Sequence, residues 1–310
     1  MLQIAPQVFF HTPVTARTQY LHALRGVLAA GKALAVIVED DAAQPLAFGM
    51  SCFLSDEARQ TILRGTHHIG YHLLRGQTRG ILSPKDITGA HKGGGLNLLG
   101  FYGWSNHLDA AQLQAVRELL LKSFRHLHWG YHLKSFLKEV YGEEEAELYR
   151  RMGCEIYRRP EDYQHQSYRK LRPFLVGITR KQVCFPDRIA DLFTVGRPSF
   201  ILPRSLRQVA QFHFVMGLSA RHAAQCCGVE PATIHVSWNR IYNCVRTRVS
   251  DTLEPEAVLR YLHENPAALY PLEIPRFFYR RPDRARAYPI LVRRPSVAPP
   301  ASADEIPRPS

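Results

Sequence analysis

The spacing of apolar residues between positions 204 and 249 constrains the fold of this chain more than any other feature. A period of three to four residues is that of a helix with one buried face. Two such series occur in this stretch: Leu206, Val209, Phe212, Val215, and then Ile234, Trp238, Ile241, Val245. The sequence therefore predicts two helices here, each with one side turned towards a core.

Turn and capping residues between these two series predict a third, shorter helix. Ser219 is a good N-cap, and Ala223 and Ala224 are small enough to let two helices cross closely. Gly228 tolerates the left-handed conformation of a tight turn, and Pro231 favours the first turn of the next helix. Three helices joined by short turns are thus expected.

This stretch, from about Arg204 to Val249, resembles the LuxR/GerE-type helix-turn-helix family. The matching residues are Gly217-Leu218-Ser219, Ala223-Ala224, Gly228-Val229, Thr233-Ile234 and Ile241-Tyr242. The resemblance implies a DNA-binding module whose last helix enters the major groove. Where that family usually has a lysine and a histidine, this chain has His235 and Ser237. The residues expected to contact DNA are Ser219, Arg221, Thr233, His235, Val236, Asn239, Arg240, Asn243 and Arg246.

Two alternatives to a LuxR-like module stay open at this point. A sigma-factor-like or recombinase helix-turn-helix has similar spacing and also binds DNA. A plain three-helix bundle without any role on DNA has the same apolar pattern.

The net charge favours a polyanionic partner. The chain has a formal net charge of +13 and an isoelectric point of about 9.7, which suits nucleic acid or an anionic membrane surface. No apolar run is long enough for a membrane span, so double-stranded DNA is the expected partner and no membrane is expected. No signal peptide or disulfide pattern is recognisable, which predicts a cytoplasmic protein. A homodimer is expected, because paired DNA half-sites mirror two-fold symmetry.

The first half of the chain contains the segment AELYRRMGCE, from Ala146 to Glu155. This segment resembles the helix-to-strand ending of the GCN5-related N-acetyltransferase fold. In active members of that family the tyrosine at this place, here Tyr149, can protonate the departing thiolate of coenzyme A. That family also binds pyrophosphate on a glycine-rich loop at a helix N-terminus. This chain has SNHLDAAQLQAV after residues 95–104, without a glycine. A degenerate domain is therefore expected, as a sensor for a small-molecule effector or a docking site for a partner protein. An acyltransferase that uses acetyl coenzyme A is the alternative.

The sequence thus predicts an α+β protein. An acetyltransferase-like α/β domain at residues 1–170 is followed by a linker at 171–200 and an all-α helix-turn-helix domain at 201–265. A basic, Pro/Arg-rich and largely disordered tail is expected at 266–310. No cofactor and no metal site are expected. Glu143, Glu144 and Glu145 are interpreted as a solvated helix start.

Overall fold

A computed structural model describes residues 14–39, 45–65, 69, 79–104, 108–163, 172–184 and 189–272. The described part of the chain is a mixed α+β structure, in which a six-stranded sheet precedes a group of helices. The predicted fold class is confirmed at this level.

The sheet has the strand order β1-β2-β3-β4-β6-β5. Its β3–β4 pair is parallel and its other pairs are antiparallel. The strands are β1 (Ala33–Glu39), β2 (Pro45–Leu54), β3 (Leu96–Trp104), β4 (Leu133–Val140), β5 (Glu155–Arg158) and β6 (Phe174–Thr179). Pairing of β3 with β4 ends at Gly100 and Lys138, although both strands continue, so the sheet opens at this point.

Helices cover both faces of this sheet. On one face α1 (Val14–Ala29) and α2 (Asp56–Arg64) pack over a core that includes Leu24, Val27 and Leu99. On the other face lie α4 (Ala110–His128), which connects β3 to β4, and α5 (Glu143–Arg151). A further helix, α3 (Pro84–Lys92), precedes β3. The two faces of the sheet carry different side chains, because successive side chains of a strand point in opposite directions.

The C-terminal part consists of α6 (Arg204–Phe214), α7 (Ala220–Cys227), α8 (Pro231–Val249) and α9 (Pro255–Glu264). The Ser219 hydroxyl accepts a hydrogen bond from the His222 N–H at 3.4 Å, and Gly228 ends α7 with a φ of 64°. Proline occupies the start of α8. The three predicted helices, their cap and their turn are confirmed, and both predicted apolar series are buried.

Two expected boundaries need correction. The range 171–200, expected to be a linker, contains β6, which pairs with β4 on one side and β5 on the other. The run FLVGIT is short and apolar, and a strand buried on both faces has that composition. The expected tail begins with a short 3-10 helix, Pro266–Leu269, whose residues are buried. The rest of that tail, residues 273–310, lies outside the described residues.

One continuous hydrophobic core joins the sheet to the C-terminal helices. The His91 ring bridges the two parts, because its Nε2 donates to the Ala267 carbonyl at 3.0 Å while its Nδ1 accepts the His132 N–H at 3.0 Å. The Tyr131 and Tyr270 rings meet edge to face at 4.6 Å. The C-terminal helices are therefore anchored to the sheet by buried contacts.

Candidate nucleic-acid interface and buried cavity

The side of α8 that faces away from the core carries a row of exposed side chains. Val236, Arg240 and Asn243 recur on one line along the helix, and Asn239 flanks them. Val236 is 50% exposed although it is aliphatic. The opposite face is held by buried Trp238 and its neighbours, so the exposed row projects from a fixed helix.

The charge of this segment is strongly one-sided. Residues 204–249 contain six arginines and one acidic residue, Glu230. Glu230 is the N-cap residue of α8, so the helix itself carries no acidic side chain along its exposed face. Such a surface attracts phosphate groups and has no carboxylate that would repel them.

The structure separates the residues predicted to contact DNA into two groups. Thr233, Val236, Asn239, Arg240 and Asn243 are exposed on α8, and Arg221 is exposed in the first turn of α7. The other predicted residues make hydrogen bonds within the helical module or lie outside the exposed row. Ser219 caps α7, the Nε of Arg246 donates to the Leu253 carbonyl, and His235 is half-buried on the flank of α8.

A second candidate site is a cavity of about 170 Å³ between the sheet and the helices α4 and α5. It lies beside the point where β3 and β4 separate, and Gly100 and Lys138 line it there. Most of the wall is apolar. Two groups of polar side chains lie in its interior, one at Lys138 and the other at His128, and further polar residues, Gln114, Glu118 and Arg125, line it on α4.

A charged cluster occupies one end of the cavity. The Glu145 carboxylate pairs with the Arg117 guanidinium at 3.1 Å, and the Lys138 ammonium lies 5.1 Å from the centre of the Tyr149 ring. Burial lowers the pKa of Lys138 to about 7, and the nearby Glu145 carboxylate opposes this shift. Burial raises the pKa of Glu145, while Lys138 and Arg117 oppose that shift.

The burial of Glu145 corrects the prediction of a solvated helix start. Glu143 and Glu144 are exposed, but the third glutamate of the run points from the first turn of α5 towards the sheet. A run of three acidic residues covers most of one helical turn, so one of its members faces inward.

The polar group on the other wall of the cavity is already satisfied. His128 is buried, its Nδ1 donates to the Phe124 carbonyl at 2.6 Å, and its Nε2 accepts from the Ser51 hydroxyl at 2.8 Å. Burial lowers the pKa of His128 to about 4, so the ring is neutral near pH 7. This pair closes the cavity wall without leaving a charge there.

Tyr149, the residue expected to matter in an acyltransferase, lines the cavity and is buried. Its ring lies 6.4 Å from that of Phe136, and burial raises its pKa well above the usual value. The helix start that would receive a pyrophosphate is occupied by the chain itself. The Asp109 carboxylate accepts the Gln112 N–H at 2.8 Å at the start of α4.

The sequence interpretation did not identify the charged cluster of the cavity. One signal for it was present, since Lys138 alternates with Phe136 and Val140 and so belongs to the same face of its strand. Its association with Arg117 and Glu145 depends on how two helices lie over the sheet, which the local pattern does not contain.

Comparison with known proteins finds no matching family model, no matching curated protein and no matching solved structure. Among the described helices, none is both long and apolar enough to cross a membrane.

Proposed function

We propose that this protein is a sequence-specific DNA-binding transcription regulator with a LuxR/GerE-like helix-turn-helix and an N-terminal α/β regulatory domain. The observation that carries the proposal is the exposed face of α8, which has hydrogen-bonding and basic side chains and no acidic ones. A helix held from behind by a buried stripe is suited to insertion into the major groove.

The side chains of this face have the chemistry of base readout. Asn239 and Asn243 are capable of bidentate pairing with adenine, and Arg240 of pairing with guanine or a phosphate. Val236 offers an apolar contact for a thymine methyl group, which would explain why this aliphatic side chain is exposed. Arg221, at the start of α7, is suited to a backbone phosphate.

The same proposal includes a cytoplasmic homodimer. A single helix of this kind reads only a few base pairs, and two copies related by two-fold symmetry read paired half-sites. The six cysteines are free thiols, as is usual in a reducing compartment.

We expect Arg240→Ala and Asn239→Ala each to weaken binding to a selected DNA site by about 1–3 kcal/mol, which is roughly 5- to 150-fold. Both side chains are exposed, so the fold is expected to remain intact. The measurement is a fluorescence-anisotropy titration at several salt concentrations, using a fragment selected from genomic DNA by the full-length protein.

Arg64→Ala is the matched control. Arg64 is an exposed arginine in the last turn of α2, on the face of the sheet opposite α4 and α5. The substitution removes the same charge from the whole protein and is expected to change affinity little. Absence of salt-dependent binding at low ionic strength would refute the proposal. An Arg64→Ala effect as large as that of Arg240→Ala would assign the binding to net charge instead of α8.

An acyltransferase is the second candidate function. The observation in its favour is the cavity beside the opening between β3 and β4, which Tyr149 lines together with Lys138 and Glu145. The Asp109 carboxylate at the start of α4 argues against it, since it would repel a pyrophosphate where that group is expected to bind.

Calorimetry with acetyl coenzyme A separates the two functions. We expect no heat of binding at micromolar concentrations, because Asp109 already satisfies the helix N-terminus. A micromolar dissociation constant for acetyl coenzyme A would place the acyltransferase first, if Tyr149→Phe abolishes the binding or Asp109→Asn increases the affinity.

A further inference from the structure

The size of the cavity between the sheet, α4 and α5 limits what it can hold. Its volume is about 170 Å³. An engineered apolar cavity of about 150 Å³ in another protein stays dry and binds a single benzene molecule. A ligand of about one aromatic ring, or a chain of six to eight carbons, is therefore of the right size.

The walls of this cavity favour an apolar body. Aliphatic and aromatic side chains supply most of the surface. They include residues of β1, β3 and α4 and the residue that follows α5: Leu34, Val36, Phe101, Leu120, Phe124 and Met152. The nearby Ser51–His128 pair is internally hydrogen-bonded and neutral near pH 7, so it does not require a polar or charged group on the ligand.

The charged end of the cavity offers two basic groups to a carboxylate. Arg117 and Lys138 supply them, and Glu145 supplies one acidic group that already pairs with Arg117. Elsewhere in the lining, Glu118 is exposed at the entrance and Arg125 pairs with Asp191. A carboxylate can share the two basic groups with Glu145, whereas a cationic head group would be repelled by both.

The entrance lies where α4 and α5 leave the cavity open to solvent. Gln114 and Glu118 are exposed on α4, and Leu148 of α5 is 42% exposed at the same cavity. The Arg117 side chain is 37% exposed, so it reaches both the solvent and the interior. An anionic head group at Arg117 would stay partly hydrated while its apolar body enters the cavity.

From these features we propose that the cavity is a binding site for a small apolar monocarboxylic acid, whose carboxylate meets Arg117 and Lys138 and whose body packs against the apolar walls. A planar guanidinium is well suited to a carboxylate, because it donates two parallel hydrogen bonds. The site is independent of the proposed DNA binding, since it is built from the sheet, α4 and α5.

The test uses the full-length protein with octanoate and benzoate as carboxylate probes, and octanol and octylamine as neutral and cationic analogues of octanoate. Binding is measured by calorimetry and by the rise in melting temperature. We expect the carboxylates to bind and stabilise the protein, and octylamine to have no effect. Octanol is expected to bind about tenfold more weakly than octanoate, since it lacks the charge-assisted hydrogen bonds.

Three variants assign the carboxylate to the proposed end of the cavity. Arg117→Gln is expected to weaken octanoate binding about tenfold, and Glu145→Gln to strengthen it, because the first removes a basic group and the second removes the competing acid. Lys122→Gln is the matched control: Lys122 lies on the same helix, is exposed and does not line the cavity, so affinity should not change.

Equal binding of octanoate and octanol, or equal effects of Arg117→Gln and Lys122→Gln, would overturn the proposal. Binding of acetyl coenzyme A with no binding of either carboxylate would also overturn it and would support the acyltransferase. Near-ultraviolet circular dichroism checks that each variant is folded. If Glu145→Gln is unfolded, the comparison of Arg117→Gln with Lys122→Gln decides alone.

Discussion

Trp238→Ala is expected to unfold the C-terminal helices. Trp238 is 4% exposed, and its ring lies 5.5 Å from that of His213, 6.2 Å from that of Phe214 and 6.0 Å from that of Tyr242. Removing a large buried aromatic side chain costs about 3–5 kcal/mol of unfolding free energy. Urea denaturation followed by far-ultraviolet circular dichroism measures the loss, and DNA binding should disappear with it.

Val236→Ala is the control for this variant, because it lies two residues away on the same helix but is half exposed. It is expected to change the free energy of unfolding by about 0.5 kcal/mol or less, as is usual for surface substitutions. A folded Trp238→Ala protein together with an unfolded Val236→Ala protein would mean that α8 is turned the other way round. The assignment of its exposed face would then be lost.

Tyr270→Ala is expected to have a comparably large effect, by weakening the attachment of the C-terminal helices to the sheet. Tyr270 is fully buried, its ring meets that of Tyr131, and its hydroxyl donates to the His126 carbonyl at 3.4 Å. The loss of unfolding free energy should again be about 3–5 kcal/mol. The same urea titration, followed also by hydrogen exchange, shows whether α6 to α9 lose protection before the sheet does.

Gly130 provides an independent test of the Tyr270 packing. A β-carbon at Gly130 would lie 2.2 Å from an atom of the Tyr270 ring, so Gly130→Ala should destabilise the protein, whereas Gly89→Ala meets nothing within 4 Å. In the double variant Gly130→Ala/Tyr270→Ala the two contacts with the Tyr270 ring are gone and only the one at 2.8 Å to the Pro266 carbonyl oxygen remains, so the cost should be less than the sum of the two. Additive costs would show that the two positions are not in contact.

The helices of the C-terminal part were predictable from local signals. The apolar period of α6 and α8, the serine before α7, the glycine after it and the proline at the start of α8 act within a few residues of each other. These features depend on backbone conformation and side-chain burial, which a short stretch of sequence encodes.

The linker expected at 171–200 and the tail expected from 266 show what the local sequence pattern does not predict, which is contact with distant parts of the chain. The first of these ranges contains FLVGIT, which pairs with β4, a strand that ends 34 residues earlier at Val140, and with β5. Tyr270 similarly looked like part of a Pro- and Arg-rich tail. Its burial depends on Gly130 leaving room for its ring, which no pattern near Tyr270 reveals.

The sequence by itself determined most of the residues of α8 that face outward, because a helix period and four buried positions leave one exposed face; His235 and Arg246 are the exceptions. Only the tertiary structure decided where charges meet inside the protein. Arg117, Lys138 and Glu145 come from α4, β4 and α5, and they share one cavity because the two helices cross the same face of the sheet. Ionisable groups so distant along the chain interact through space, and their pKa values follow from burial and from neighbours that the order of residues does not specify.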